Sequence, residues 1–499
     1  MSFLLLLALG SSRADEEYEF WSACEAGDIA TMRRLVASGA DLEYHDDDGR
    51  TPLLLTVLGS HSEAALFLAK SGADLEATGR WPGPEEGPLA VAAGRGDLRL
   101  MDALLSAGAS PLAVTGPDGS TPLVAAAANG KTEAVRTLLG VGAPVDARRR
   151  DGTTAASWAA RNGHASAFGV LLDHGARLDA RDEVDGSTPL HFAAQAPTGE
   201  AVRVALAAGA DLSARTNVMA PKDEDRPKRQ DLRGGATPLM TAAAAASVEA
   251  IDALLAHARR TLSTAGVEAY VNAVDAAGLT ALAWACSVPN GARTTETLET
   301  LAAAGARHDS ITVDGRALVH VAAHGRNARA LAWLVDVEGH DVDARSPGRG
   351  LTPLTISAFQ GSRAAAKALL RRGADVNAVA PDGATPLIAA ASAAQKGVAS
   401  LLLKKGADPL RRLRSGEFPS QVTPKSPHGK LLKWSLSKAE RKAWRRLERE
   451  AQRRIEERGG SAPPEQEDGV DDAEVEDLEE GGDDEEEAPA AASPENDEL

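Results

Sequence analysis

The sequence predicts an all-α fold, an α-solenoid of about ten stacked helix-turn-helix repeats with β-hairpin-like tips, and three observations carry that expectation. Thr-Pro-Leu recurs at Thr51, Thr121, Thr188, Thr237, Thr352 and Thr385, and weaker copies begin at Gly87, Thr154, Thr280 and Ala317. Successive starts lie 33 to 49 residues apart. An Asp-Gly pair precedes many of them by one residue, as at Asp118-Gly119, Asp151-Gly152, Asp185-Gly186, Asp314-Gly315 and Asp382-Gly383. The units close on Leu-Leu followed by Gly-Ala, as in Leu171-Leu172 before Gly175-Ala176 and Leu369-Leu370 before Gly373-Ala374. A period of this size marks an array in which no unit buries its apolar face alone.

Each element of the unit has a local cause. Asp-Gly sets a tight turn. The Thr that follows caps a helix, and Pro fits the first helical turn, where its missing N–H has no intrahelical use. An Ala-rich run such as Leu123 to Ala128 makes a thin first helix. A polar turn with Gly, as at Asn129-Gly130, Asn162-Gly163 and Gln360-Gly361, leads to a second helix, and the glycine after Leu-Leu supplies its left-handed cap. The N-terminal stretch from Tyr18 to Asp41 has the Gly-Ala-Asp ending without a Thr-Pro-Leu start, which predicts a capping helix pair over 15–46 ahead of an array over 47–413. Two units are expected to pack less regularly. The one from Gly235 to Asp275 lacks the Gly-Ala-Asp exit and has a longer second half, and the one from Val313 to Ser346 has Ala317-Leu318-Val319 at its start and Gly339-His340 at its exit.

The joint recurrence of turn, Thr-Pro-Leu, Ala-Ala and Leu-Leu-x-x-Gly-Ala-Asp resembles the ankyrin-repeat family, over about residues 15–413. The resemblance implies a non-enzymatic protein-protein interaction scaffold or adaptor that binds through its hairpin tips and concave helix face. Carried position by position, it points to Pro117, Asp118, Ser120 and Asn129 on one repeat. The next repeats add Arg148, Arg149, Arg150, Asp151, Thr153, Arg161 and Asn162, then Arg181, Val184, Asp185, Ser187 and Gln195. The five arginines of this set are expected to form a positive stripe on an otherwise acidic array. The expected partner is a protein with acidic character, engaged by a monomer. The resemblance also makes His191 and His320 structural hydrogen-bonding residues.

Charge divides the chain. Of a net charge of −18, residues 465–499 contribute 18 Asp or Glu and no Lys or Arg, whereas residues 411–458 hold 15 bases against 6 acids. The acid-rich end, 459–499, is expected to be disordered. Residues 414–436 read as a linker, and 437–458 as a basic amphipathic helix opened by a Ser437–Glu440 capping box, with Trp444, Leu447, Ala451 and Ile455 on one side. The stretch around 217–235, rich in Lys, Asp, Arg and Pro, reads as a charged insertion between repeats. The apolar run Phe3 to Leu9 with Ser12-Arg13-Ala14 reads as a secretory signal over 1–14, and Asn496-Asp497-Glu498-Leu499 is close to a lumenal retrieval signal, so the lumen of the endoplasmic reticulum is the expected location, with cytoplasm or nucleus as the alternative.

No catalytic constellation, cofactor motif or metal-ligand spacing is present, so catalytic, cofactor and metal residues are expected to be none. Cys24 and Cys286 lie many repeats apart and read as small buried hydrophobes. Trp158 and Trp284 read as packing residues. Two further readings remain beside the scaffold. One is a lumenal protein whose acidic end binds calcium weakly or serves chaperones. The other is a nuclear histone- or nucleic-acid-associated protein, although nucleic acid is not the expected partner.

Overall fold

A computed structural model describes residues 16–46, 48–79, 86–217, 234–424 and 427–457. The expected signal segment, most of the charged insertion and the acidic end lie outside the described residues. Among those residues helix follows helix with no named strand, only isolated bridges at Gly79–Glu86, Thr115–Ser120 and Ile311–Ala317. The helices 16–26 and Ile29–Ala37 form the N-terminal pair. Ten pairs follow, numbered repeats 1 to 10, whose first helices start at Pro52, Pro88, Pro122, Ala155, Pro189, Pro238, Ala281, Leu318, Pro353 and Pro386. Each start lies one residue after a Thr-Pro-Leu position or its weaker copy.

The caps form as the residues dictate. Thr51, Thr121, Thr154, Thr237, Thr280, Thr352 and Thr385 all sit in extended backbone and accept the N–H three residues on. The glycines after Leu-Leu take the left-handed conformation, φ +89° at Gly175 and +86° at Gly373. Leu171, Leu369 and Leu402 are fully buried, as are the alanine pairs Ala159-Ala160, Ala193-Ala194 and Ala390-Ala391. Alanine carries nothing beyond Cβ, so neighbouring first helices approach closely. Cys24 and Cys286 are buried in the same core, and burial pushes both thiols up to about 12.

Side chains in the inter-helix turns reach back to the preceding repeat and satisfy its helix-end carbonyls. His164 Nε2 meets the Ala128 carbonyl at 3.0 Å, Ser247 Oγ that of Ala196 at 2.7 Å, and Asn327 Nδ2 that of Ala285 at 3.1 Å. His191 has both ring nitrogens engaged. Nε2 faces the Ala236 carbonyl at 3.0 Å, and Nδ1 faces the Thr188 hydroxyl at 2.8 Å and its N–H at 3.2 Å. His320 holds the Ala344 carbonyl at 2.9 Å through Nε2, but its buried Nδ1 has no partner, because Ala317 stands where Thr188 supplies a hydroxyl.

Repeats 6 and 8 differ in kind. Repeat 6 extends its second helix to Val248–Thr261 and adds a third, Thr264–Val271. Repeat 8 keeps a regular helix pair, Leu318–His324 and Ala328–Asp336, but lacks the capping Thr hydroxyl and leaves by a longer exit. There the His340 N–H reaches back six residues to the Leu334 carbonyl at 3.0 Å, while that of Ala374 in repeat 9 reaches back five to Leu369.

The C-terminal helix corrects the sequence reading. It runs Pro427–Glu457, so Ser437 lies inside it and caps nothing. Glu440 instead accepts the Ser420 N–H at 3.0 Å and its hydroxyl at 2.8 Å, while Leu432 and Leu436 are buried. The local Ser-x-x-Glu pattern is outweighed by a tertiary partner twenty residues away in sequence. The described residues divide into two units, one ending at Glu440 and the other beginning at Arg441. Within the second unit Leu447 is exposed and Arg446 pairs with Glu450 at 3.7 Å. No described helix is long and apolar enough to cross a membrane.

Candidate protein-binding face

The tips are ordered by their turn chemistry. Asp118, Asp151, Asp185 and Asp382 each accept the N–H two residues on, at 2.9 to 3.2 Å. Successive tips are stitched by backbone bonds from Arg150 N–H to the Asp118 carbonyl, Glu183 to Asp151, Asn217 to Asp185, Val313 to Ala277 and Arg414 to Asp382. Burial raises the Asp151 pKa, but hydrogen bonds from Thr153 and the Arg149 charge outweigh it and leave the carboxyl lowered. At Asp182 burial dominates, with the Asp185 charge adding to it, and the pKa rises.

The structure divides the expected arginine stripe. Arg149 is nearly enclosed, with its guanidinium paired to Asp118 and Asp151 and lying 4.7 Å from the centre of the Trp158 ring. Arg161 approaches the same ring at 5.4 Å, and the indole N–H donates to the buried Thr153 hydroxyl at 2.9 Å. This cluster is built into the tip, so Arg149 and Thr153 are not free binding groups. Arg148, Arg150, Arg161, Arg181, Asn162 and Gln195 are exposed. Among them Asn162 donates to the Ala128 carbonyl at 2.7 Å. Asp151, Asp182, Glu183 and Asp185 occupy the same tips, so the expected positive stripe is corrected to a mixed-charge edge. The Asp-Gly turns that build the tips bring a carboxylate with them.

Arg148 and Arg181 belong to a ladder that the sequence reading missed. Arg148 donates to the Arg181 carbonyl at 2.8 Å, and Arg181 to those of Arg215 and Gly186 at 2.7 and 2.8 Å. Arg215 donates to Val274 and Gly235, both at 2.7 Å, and Arg345 to Val379 at 2.8 Å. Every one of these arginines follows an alanine at the same register, Ala147, Ala180, Ala214 and Ala344, which is the signal that repeat-to-repeat comparison would have caught. The guanidiniums clamp one tip to the next through carbonyl groups and keep their charge.

Between Arg215 and Arg345 that register holds aliphatic residues. Val274 is 47% exposed and Ile311 63%, and Val313 beside them is 77% exposed. Isolated exposed apolar residues are ordinary, but three on neighbouring tips between two arginines make a patch suited to a partner. Trp284, on the first helix of repeat 7, is fixed by its N–H to Asp275 at 2.9 Å, which places it in the packing rather than in the patch. No group of His, Cys, Asp and Glu suited to a metal occurs among the described residues.

Comparison with known proteins agrees with this architecture. A family profile for ankyrin repeats in three copies matches residues 89–182, 127–216 and 318–412, and one for many copies matches 20–69, so that together they cover more than half the chain. A protein of Arabidopsis thaliana named as an E3 ubiquitin-protein ligase, XBAT35, is 38% identical over 114 residues, 22% of this chain and 24% of that protein. Inversin of Gallus gallus is 36% identical over 98 residues and inversin of Homo sapiens 34% over 102, covering 19% and 20% of this chain. The chain matches only 8% and 9% of the lengths of the two inversins.

Proposed function

The chain belongs to the ankyrin-repeat family, and from that premise we propose that it is a non-enzymatic scaffold that binds a protein partner along the tips leading into repeats 4 to 10. The observation that carries this reading is the exposed patch of Val274, Ile311 and Val313 set between Arg215 and Arg345. Its chemistry fits a protein segment with an aliphatic anchor flanked by carboxylates. The arginine ladder supports the reading because it fixes the tips before binding, which reduces the ordering that association must overcome. The ligase among the relatives shares only a minor part of its length with this chain, and its activity is not carried over.

Affinity purification of the full chain beside an Ile311→Asp, Val313→Asp double variant tests the proposal. Both side chains are exposed, so the variant keeps its helical content. Loss of the recovered partner in the variant is the expected result, and recovery of the same partner at the same level contradicts it.

A further inference from the structure

The second helices of repeats 9 and 10, Arg363–Arg371 and Lys396–Lys404, are neighbours and differ from all those before them. The second helix of every earlier repeat contains at least one Asp or Glu, whereas these two contain none. Arg363, Lys367 and Arg371 recur at four-residue spacing on one side of the first, and Lys396, Lys404 and the adjoining Lys405 extend the row. All six are exposed, and none forms an ion pair among the described residues, although Arg372 beside them pairs with Asp336. Charges on the earlier second helices are mixed in sign and some are paired, as in Arg136–Glu133 and Arg203–Glu200. Here six are left unmatched on one face, away from the tips.

We propose that this face is a second docking surface, whose occupant is a short, carboxylate-rich segment of a partner polypeptide. Three features favour that occupant. The bases along Arg363–Arg371 stand about 6 Å apart at 1.5 Å per residue, close to the roughly 6.6 Å between alternate side chains of an extended peptide. Neither helix carries an aromatic residue, so the stacking platform that single-stranded nucleic acid uses is missing. The patch spans only two helices of an array that is acidic overall, with 48 acids against 39 bases over 1–410. Toward the preceding repeats a long polyanion or an anionic bilayer would overrun it onto acidic second-helix surface such as the exposed Glu299, whereas a short segment stays within it.

The test is fluorescence anisotropy of a labelled short oligoglutamate peptide against the full chain. It is repeated with a variant carrying Arg363→Gln, Lys367→Gln, Arg371→Gln, Lys396→Gln, Lys404→Gln and Lys405→Gln, and circular dichroism checks that both are equally helical. A single-stranded oligonucleotide of equal charge and vesicles containing an acidic lipid are run in parallel. At low salt the variant is expected to bind the peptide roughly tenfold more weakly than the parent. The difference should fade as the Debye length falls from about 10 Å at 0.1 M to about 3 Å at 1 M salt. The Ile311→Asp, Val313→Asp variant should bind the peptide as the parent does, which separates this surface from the tips. Equal peptide binding by parent and six-residue variant overturns the proposal. So does a larger loss for the oligonucleotide or the vesicles than for the peptide, since the face would then serve a nucleic acid or a membrane.

Discussion

Replacing Ala317 with Thr should stabilise the chain, because repeat 8 carries a defect that repeat 5 lacks. In repeat 5 the Thr188 hydroxyl lies 2.8 Å from His191 Nδ1, whereas in repeat 8 the equivalent His320 Nδ1 is buried and unpartnered. Ala317 already holds the extended conformation of the capping Thr residues, φ −74° and ψ 163° against −93° and 166° at Thr188, so a Thr side chain enters without backbone movement. Ala317 is only half buried, which leaves room for the added atoms. Restoring a Thr cap contributes about 1 kcal/mol. Giving a buried polar atom its hydrogen bond contributes about 1 kcal/mol more, for roughly 2 kcal/mol in all. The measurement is hydrogen exchange of the Leu318–His324 amides combined with urea unfolding, since a repeat's stability is partly local. A double-mutant cycle separates the two parts, because in a His320→Leu background only the capping part should remain. An unchanged or lowered stability for Ala317→Thr, or a gain as large in the His320→Leu background, refutes the reasoning.

Other expectations follow from the same geometry. Leu171→Ala and Leu369→Ala each remove a fully buried side chain and should cost about 2–5 kcal/mol, read as multistate urea unfolding because each repeat contacts only its neighbours. A single transition of unchanged cooperativity in both variants would count against that. Burial holds His191, His320, His324 and His340 below the ordinary value of 6.5. A base with a lowered folded pKa stabilises fully above its unfolded pKa, and this contribution is lost as pH falls. The urea midpoint should therefore drop as pH falls below about 6.5, and a flat or rising midpoint there contradicts it.

Periodicity made the fold legible because its causes are local and repeated. All ten first helices begin where Thr-Pro-Leu or its weaker copy places them, and even the altered start at Ala317 keeps the capping backbone. The candidate face was less legible for a physical reason. Position in a tip says which residues lie near one another, but not how their charges are used. Arg149 reads like Arg148 and Arg150 in sequence, yet Asp118, Asp151 and the Trp158 ring absorb it, while Arg215 and Arg345 join the ladder only through carbonyls one repeat on. The exposed Ile311 and Val313 gave no motif, since an aliphatic residue in a tip is visible as a patch only once the tips are aligned. The C-terminal helix was misplaced because Glu440 found Ser420 rather than Ser437.

The most direct test of the account places a photo-crosslinking side chain at Val313, in the aliphatic tip patch, and in a second chain at Arg203, on the second helix Glu200–Ala207. Both positions are exposed, so both report on what reaches the surface. The account predicts that irradiation of the full chain in its native cells captures a protein partner from Val313 and not from Arg203. Capture from Arg203 alone, or the same proteins from both positions, would contradict binding along the tips.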